Sequence, residues 1–169
     1  MFSQARRATR ATASAIEFGH DAVMANEPAR SLDELLGEAS ARIQRLAPQE
    51  AFDAVADGAL LVDIRSDGDR ERDGVVPGAL HVPRTVLEWR FAGEPEWRSP
   101  YLGNAGRQIV LICDHGCSSI FAAAALVDLG YHAGDVVGGF DAWRAAGLPT
   151  APGAIHRAPG EPAGMRPPD

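Results

Sequence analysis

The side chains best able to do chemistry stand together in seven residues, Cys113-Asp114-His115-Gly116-Cys117-Ser118-Ser119. A thiol, two hydroxyls and a glycine in so short a space suit covalent catalysis by a cysteine in an anion-binding loop. The flanks say where such a loop must sit. Ile109-Val110-Leu111-Ile112 is an unbroken apolar run that reads as a strand buried on both faces of a parallel sheet. Ile120 to Leu129 reads as an apolar, alanine-rich helix, with Gly130 placed just past its end. The loop therefore joins the carboxyl end of a strand to the amino end of a helix, where ligands bind in open α/β sheets. Unpaired backbone N–H groups and the helix dipole favour negative charge there and lower a thiol's pKa from about 8.5. Gly116 lets the loop curl, and Ser118 and Ser119 supply hydroxyl donors, cap the helix, or do both.

Three members of the loop have more than one reading. Cys113 is a nucleophile or, as buried cysteines often are, a small inert hydrophobe. His115 serves as general base, as cationic anchor for a ligand, or as a solvated, hydrogen-bonding loop residue. Cys117 forms a disulfide with Cys113, accepts a group from it, or stands by as a spectator, depending on loop geometry.

Three further motifs surround the loop: Leu61-Val62-Asp63-Ile64-Arg65, Val76-Pro77-Gly78-Ala79-Leu80-His81-Val82-Pro83, and Gly138-Gly139-Phe140-Asp141-Ala142-Trp143. Together, in order and spacing, the four motifs resemble the rhodanese superfamily of single-domain sulfurtransferases over roughly residues 43–149. The resemblance implies an α/β three-layer fold, with a central, mainly parallel five-stranded sheet and helices on both faces. It also implies transfer of sulfane sulfur, from thiosulfate or a persulfide donor to a thiophilic acceptor such as a thiol or thioredoxin-like protein, through a persulfide on Cys113. Asp114, His115, Gly116, Cys117, Ser118 and Ser119 would line the substrate site. Neither metal nor organic cofactor is implied. Asp63 and Arg65 end an apolar run, where they can pair and tie strand-end loops together, and Gly138 and Gly139 allow close backbone approach to the cradle; these four shape the site.

Many rhodaneses carry an arginine in the cradle, and this loop has none. Its Cys-x-His-Gly-x-Ser-Ser pattern is similar to that of small bacterial thiosulfate sulfurtransferases that dispense with it. Related phosphatases of the fold have a longer cradle ending in arginine, and here that position is Ser119. Asp114 and Cys117 depart from the pattern: an inward Asp114 carboxylate would repel an anionic donor. The alternative reading is a catalytically silent rhodanese-homology module that binds a protein or anion in the same cleft.

The elements that position the loop follow. Ser31-Leu32-Asp33-Glu34 has the form of a capping box, opening an additional helix within 31–42 whose Leu32, Leu35, Leu36 and Ala39 share a face. That helix packs on the domain or mediates self-association. A strand over Ile43 to Leu46, a helix from Pro48, strands over Leu60 to Ile64 and Ala79 to Val82, and a short helix around Leu87 precede the cradle strand. Trp143 reads as core. The aromatic segment 84–107, with Trp89, Phe91, Trp97 and Tyr101, either rims the site or covers the sheet.

With 169 residues, 46% of them hydrophobic, the chain can bury one core with tails to spare. Residues 1–30 lack hydrophobic periodicity and read as a flexible tail; Arg6, Arg7 and Arg10 superficially match a transit peptide, without the apolar stretch of a secretion signal. Pro, Gly and Ala after Pro149 make 150–169 a disordered tail. Two cysteines four apart cannot staple a fold, so the expected compartment is reducing and cytoplasmic. A net charge of -7 argues against nucleic acid and acidic membranes as partners. All 16 basic residues are arginine, which with abundant Ala, Gly and Pro points to GC-rich coding of bacterial type.

Overall fold

A computed structural model describes residues 29–103 and 106–153; the two expected tails fall outside it except for residues 29–30 and 150–153. Five strands form one sheet: β1 (Gln44–Leu46), β2 (Leu60–Asp63), β3 (Leu80–His81), β4 (Ile109–Ile112) and β5 (Ala133–Val136). Their order is β1-β5-β4-β2-β3 and every pairing is parallel. Parallel strands need crossovers, and six α-helices are present among the described residues: α1 (Leu32–Ser40), α2 (Pro48–Ala56), α3 (Asp67–Asp73), α4 (Leu87–Ala92), α5 (Ser118–Asp128) and α6 (Gly139–Ala145).

Side-chain alternation along the strands divides the core in two. Leu60 and Val62 of β2 with Ile109 and Leu111 of β4 meet Leu87 and Phe91 of α4 and Ala122, Ala123 and Leu126 of α5. Leu61, Val110, Ile112 and Val136 face the other way, onto Ala51 of α2 and Phe140 and Trp143 of α6. The result is the expected three-layer α/β fold, its central sheet purely rather than mainly parallel.

The capping box forms as expected. Ser31 Oγ accepts the Glu34 N–H at 3.2 Å, and the Glu34 carboxylate accepts the Ser31 N–H at 2.7 Å. α1 lies against α5, where Leu36 and Ala39 meet Ile120, Phe121 and Ala124. Leu32, in the first turn, stays 64% exposed, so the apolar face is shorter than its sequence period.

Several boundaries shift: β1 begins at Gln44, β2 ends at Asp63 and α5 ends at Asp128, each one residue inside its expected run. α5 starts at Ser118, two residues early, because Cys117 takes the N-cap position. β3 narrows to Leu80–His81, consistent with its place at the sheet edge. The break expected at residue 150 comes later: Ala151 exchanges both backbone hydrogen bonds with Val75, at 2.8 and 2.9 Å, and Pro149 accepts from Trp143 Nε1 at 3.0 Å. α3 is an addition. Its sequence, Asp-Gly-Asp-Arg-Glu-Arg-Asp, has no apolar period, and it stands on the Ser66 cap, whose Oγ accepts the Asp69 N–H at 3.1 Å, and on buried Arg70. No helix among the described residues is long and apolar enough to cross a membrane.

Candidate active site

The seven-residue loop leaves the carboxyl end of β4 and enters α5, in the centre of the sheet's carboxyl edge. Cys113 is 5% exposed. Its Sγ accepts the Gly116 N–H at 3.1 Å and lies 3.2 Å from Ser119 Oγ. Burial pushes the Cys113 thiol up; hydrogen bonds from the Ser119 and Ser118 hydroxyls and from the Ser119 and Gly116 N–H groups outweigh it, and the net direction is down. The pocket thus makes the Cys113 thiol more acidic than an ordinary cysteine.

The neighbouring loop supplies the cradle's wall. The Phe140 N–H donates to Cys113 O at 2.8 Å and the Asp141 N–H to Asp114 O at 3.1 Å. Such contact leaves no room for side chains. A Cβ on Gly116 (φ +73°) would meet Gly138 N at 2.4 Å, and one on Gly139 (φ +61°) would meet Cys113 O at 2.3 Å. Both positions also hold the left-handed backbone that glycine adopts most readily.

Asp63 and Arg65 pair as their types suggest. The Arg65 guanidinium donates to both Asp63 oxygens, at 3.0 and 2.7 Å, and to Gly74 O at 2.9 Å, and stacks 3.7 Å from the centre of the Phe140 ring. Arg70 Nε adds a second cation to Asp63 at 3.1 Å. Because Phe140 lies in the first turn of α6, which walls the cradle, this buried cluster links the β2 end to the Gly138-Gly139 turn.

Other loop residues point elsewhere. His115 is exposed and its Nδ1 lies 2.8 Å from Asp141 Oδ2, with no hydrogen bond to Cys113. Asp114 is half-buried; burial raises its pKa, helped by the nearby Asp69 and Asp63 charges and opposed by Arg65 and His115. Cys117 is a free, exposed thiol and Cys113 a free, buried one, so the two are not joined. Ser118 is exposed in the first turn of α5, and Ser119 is fully buried beside it. Among the described residues no cluster of His, Cys, Asp or Glu could hold a metal ion.

Two residues of the site were not singled out from sequence, Asp135 and Arg45. Asp135 is fully buried on β5 and accepts from Ser119 Oγ at 3.0 Å. Arg45, its partner in the parallel register, donates to its two oxygens at 2.9 and 3.2 Å and to Gly116 O at 3.1 Å. The one signal in the sequence was a carboxylate inside Ala133-Gly134-Asp135-Val136, a stretch short enough to pass for a loop. The aromatic segment is separate: Trp89, Trp97, Thr85, Val86 and Arg90 line an open groove of about 520 Å³ that includes none of the seven loop residues.

The profile of the family "Rhodanese-like domain" matches residues 47–146. Thiosulfate sulfurtransferase GlpE of Haemophilus influenzae is 35% identical over 107 residues, 63% of this chain and 92% of the relative. GlpE of Actinobacillus pleuropneumoniae serotype 3 is 34% identical over 106 residues, 62% of this chain and 89% of its own. Among solved structures, a Rhodopseudomonas palustris protein of unknown function, described as a possible tyrosine phosphatase, has a TM-score of 0.67 at 30% identity, covering 76% of this chain and 99% of that one. A thiosulfate sulfurtransferase from Pseudomonas aeruginosa has a TM-score of 0.54 at 28% identity, covering 66% of this chain and 20% of that one. A profile matched over most of the chain, relatives covered nearly end to end and a parallel sheet with a cysteine cradle at its carboxyl edge agree: the chain belongs to the rhodanese-like domain family.

Proposed function

We propose that the protein is a sulfurtransferase that carries sulfane sulfur on Cys113. The observation that carries the reading is the buried Cys113 sulfur, held by the Gly116 N–H and beside the Ser119 hydroxyl at the amino end of α5. Relatives named thiosulfate sulfurtransferase, at 35% identity, support it.

In the first half-reaction the Cys113 thiolate attacks the outer sulfur of thiosulfate. A new S–S bond forms to Cys113, the S–S bond of thiosulfate breaks, and its electron pair leaves on sulfite. In the second, a thiolate or other thiophilic acceptor attacks the outer persulfide sulfur and Cys113 leaves as thiolate. Both steps develop anionic charge, which the cradle's N–H groups and the α5 dipole stabilise without moving. A persulfide donor reacts by the same route, and a thioredoxin-like protein is a fitting acceptor. His115 is not needed as a base, since the cradle's hydrogen bonds lower the Cys113 pKa, and Cys117 stands outside the transfer path.

Phosphatase chemistry fits less well. A phosphoryl dianion is best held bidentately by arginine, and the position in question holds Ser119, hydrogen-bonded to the Asp135 carboxylate. The test is thiosulfate-dependent sulfur transfer to cyanide or a dithiol, with Cys113→Ser and Cys117→Ser beside the unaltered protein. Activity and a 32 Da (about one sulfur atom) gain on the Cys113 peptide, both lost only in Cys113→Ser, are expected. No transfer and no added sulfur in any of them would favour a silent binding module.

A further inference from the structure

We infer that Asp135, held by Arg45, is a positioning residue that sets the protonation of Cys113 through the Ser119 hydroxyl. The inference rests on Cys113 as the reacting thiol. Ser119 Oγ stands between two acceptors, Cys113 Sγ at 3.2 Å and Asp135 Oδ2 at 3.0 Å. A serine hydroxyl has one proton to donate, so it serves the carboxylate or the sulfur, not both.

Each choice fixes the protonation of the sulfur. With the hydroxyl turned to Asp135, the remaining Oγ lone pairs face Sγ, and Cys113 satisfies them as a thiol donating S–H. With the hydroxyl turned to Sγ, the sulfur is a thiolate accepting from Ser119 and from the Gly116 N–H. Passing from the first state to the second breaks only the S–H bond; its proton goes to water, and the hydroxyl rotates.

Arg45 decides how readily Asp135 gives up that hydroxyl. Its guanidinium donates to both carboxylate oxygens, so the buried charge keeps its compensation when Ser119 turns away. The same guanidinium holds the Gly116 carbonyl at 3.1 Å, fixing the residue whose N–H aims at Sγ. Without Arg45, the fully buried Asp135 carboxylate would have the Ser119 hydroxyl as its remaining donor and keep that hydroxyl turned away from Sγ.

Other charges around the sulfur come from different elements: Asp114 and His115 in the loop, Asp69 of α3 with Asp63 and Arg65 at the β2 end facing Asp114, and Asp141 of α6 on His115. None of them hydrogen-bonds Cys113 Sγ or Ser119 Oγ among the described residues.

The two partners therefore shift the same thiol in opposite directions, which a merely structural role would not do. The probe is iodoacetamide alkylation as a function of pH, resolved at Cys113 by peptide mass so that Cys117 does not contribute. Asp135→Asn, which removes the competing charge, lowers the apparent pKa of Cys113 by about one unit; Arg45→Met raises it by about one unit, a tenfold change in thiolate fraction. In a Ser119→Ala background both shifts fall below half. Unshifted or same-direction changes in folded variants, or full shifts that persist without Ser119, overturn the inference. Arg45, on the edge strand with its side chain 30% exposed, carries the test should Asp135→Asn fail to fold. Alkylation needs no turnover: opposite shifts without sulfur transfer support this inference and sink the sulfurtransferase reading, and sulfur transfer with an unshifted thiol does the reverse.

Discussion

Gly139 and Cys113 meet backbone to backbone: a methyl group at 139 would come within 2.3 Å of the Cys113 carbonyl and 2.6 Å of Asp114 O. The wall of the cradle is thus main chain, and a glycine at 139 is a steric requirement of that contact.

Gly139→Ala is expected to push the two loops apart and to destabilise by more than about 2 kcal/mol, since a left-handed alanine alone costs roughly 1 kcal/mol or more. Gly130→Ala is the control. It has the same class of backbone (φ +87°) but open space around it, and should cost only about 1 kcal/mol. Urea midpoints at constant m-value measure both, and equal losses would show that the backbone contact adds nothing.

Arg65→Met leaves Asp63, fully buried, with Arg70 as its remaining cation, and frees Gly74 O of its donor. Breaking one side of a buried pair costs about 3–5 kcal/mol. Arg65→Lys retains charge but loses the two-pronged contact and the stacking on Phe140, so it should fall between the two. A loss under about 1 kcal/mol for Arg65→Met would contradict the scaffold role.

What the sequence made legible were features written in neighbouring residues. β4 is a continuous apolar run and β2 an apolar run closed by Asp63, the α1 capping box is four residues long, and the cradle is a strand end, a glycine and a helix start in succession. What stayed hidden depends on partners far along the chain. α3 buries Arg70 on Asp63 and has no apolar stripe for a helical period to show. β5 carries Gly134, where a Cβ would lie 2.3 Å from Gln44 O, and a carboxylate, both atypical of a buried strand. Asp135 and Arg45 are 90 residues apart, and only the β1-β5 register brings them under Ser119. Cys113 could be picked out because its environment is local; the charges beneath it could not.

His81 ends β3 with its Nε2 2.9 Å from Arg65 O. Burial lowers its pKa, and the nearby Arg70 charge adds to the effect, so the folded protein holds this histidine neutral more strongly than the unfolded chain does. Protonation on acidification therefore favours unfolding. Stability from this group should be intact above about pH 6.5, the unfolded value, and fall as pH drops from there towards the lower folded pKa, by at most about 1.4 kcal/mol per unit. Urea midpoints between pH 7.5 and 5.5 should decline for the parent and decline less for His81→Gln. Parallel curves would remove His81 from the account.

The half-buried Asp114 directly follows Cys113 in the loop, and on the sulfurtransferase reading its charge would act on a doubly charged donor. A carboxylate within about 8 Å of a dianion in a largely hydrated cleft opposes binding by about 1 kcal/mol. Asp114→Asn is thus expected to lower KM for thiosulfate about fivefold at neutral pH, with KM responding more than kcat, and the gain should shrink as salt screens the charge. Burial, with Asp69 adding to it, raises the Asp114 pKa, so its charge is present above that raised value and lost as pH falls through it. KM of the parent should therefore approach that of Asp114→Asn on acidification, over a range lying above the ordinary carboxylate value. Steady-state kinetics at several pH values and salt concentrations measure this. A KM indifferent to the substitution would mean that Arg65 and His115 already neutralise the carboxylate, leaving the cradle dipoles as the only field the donor meets.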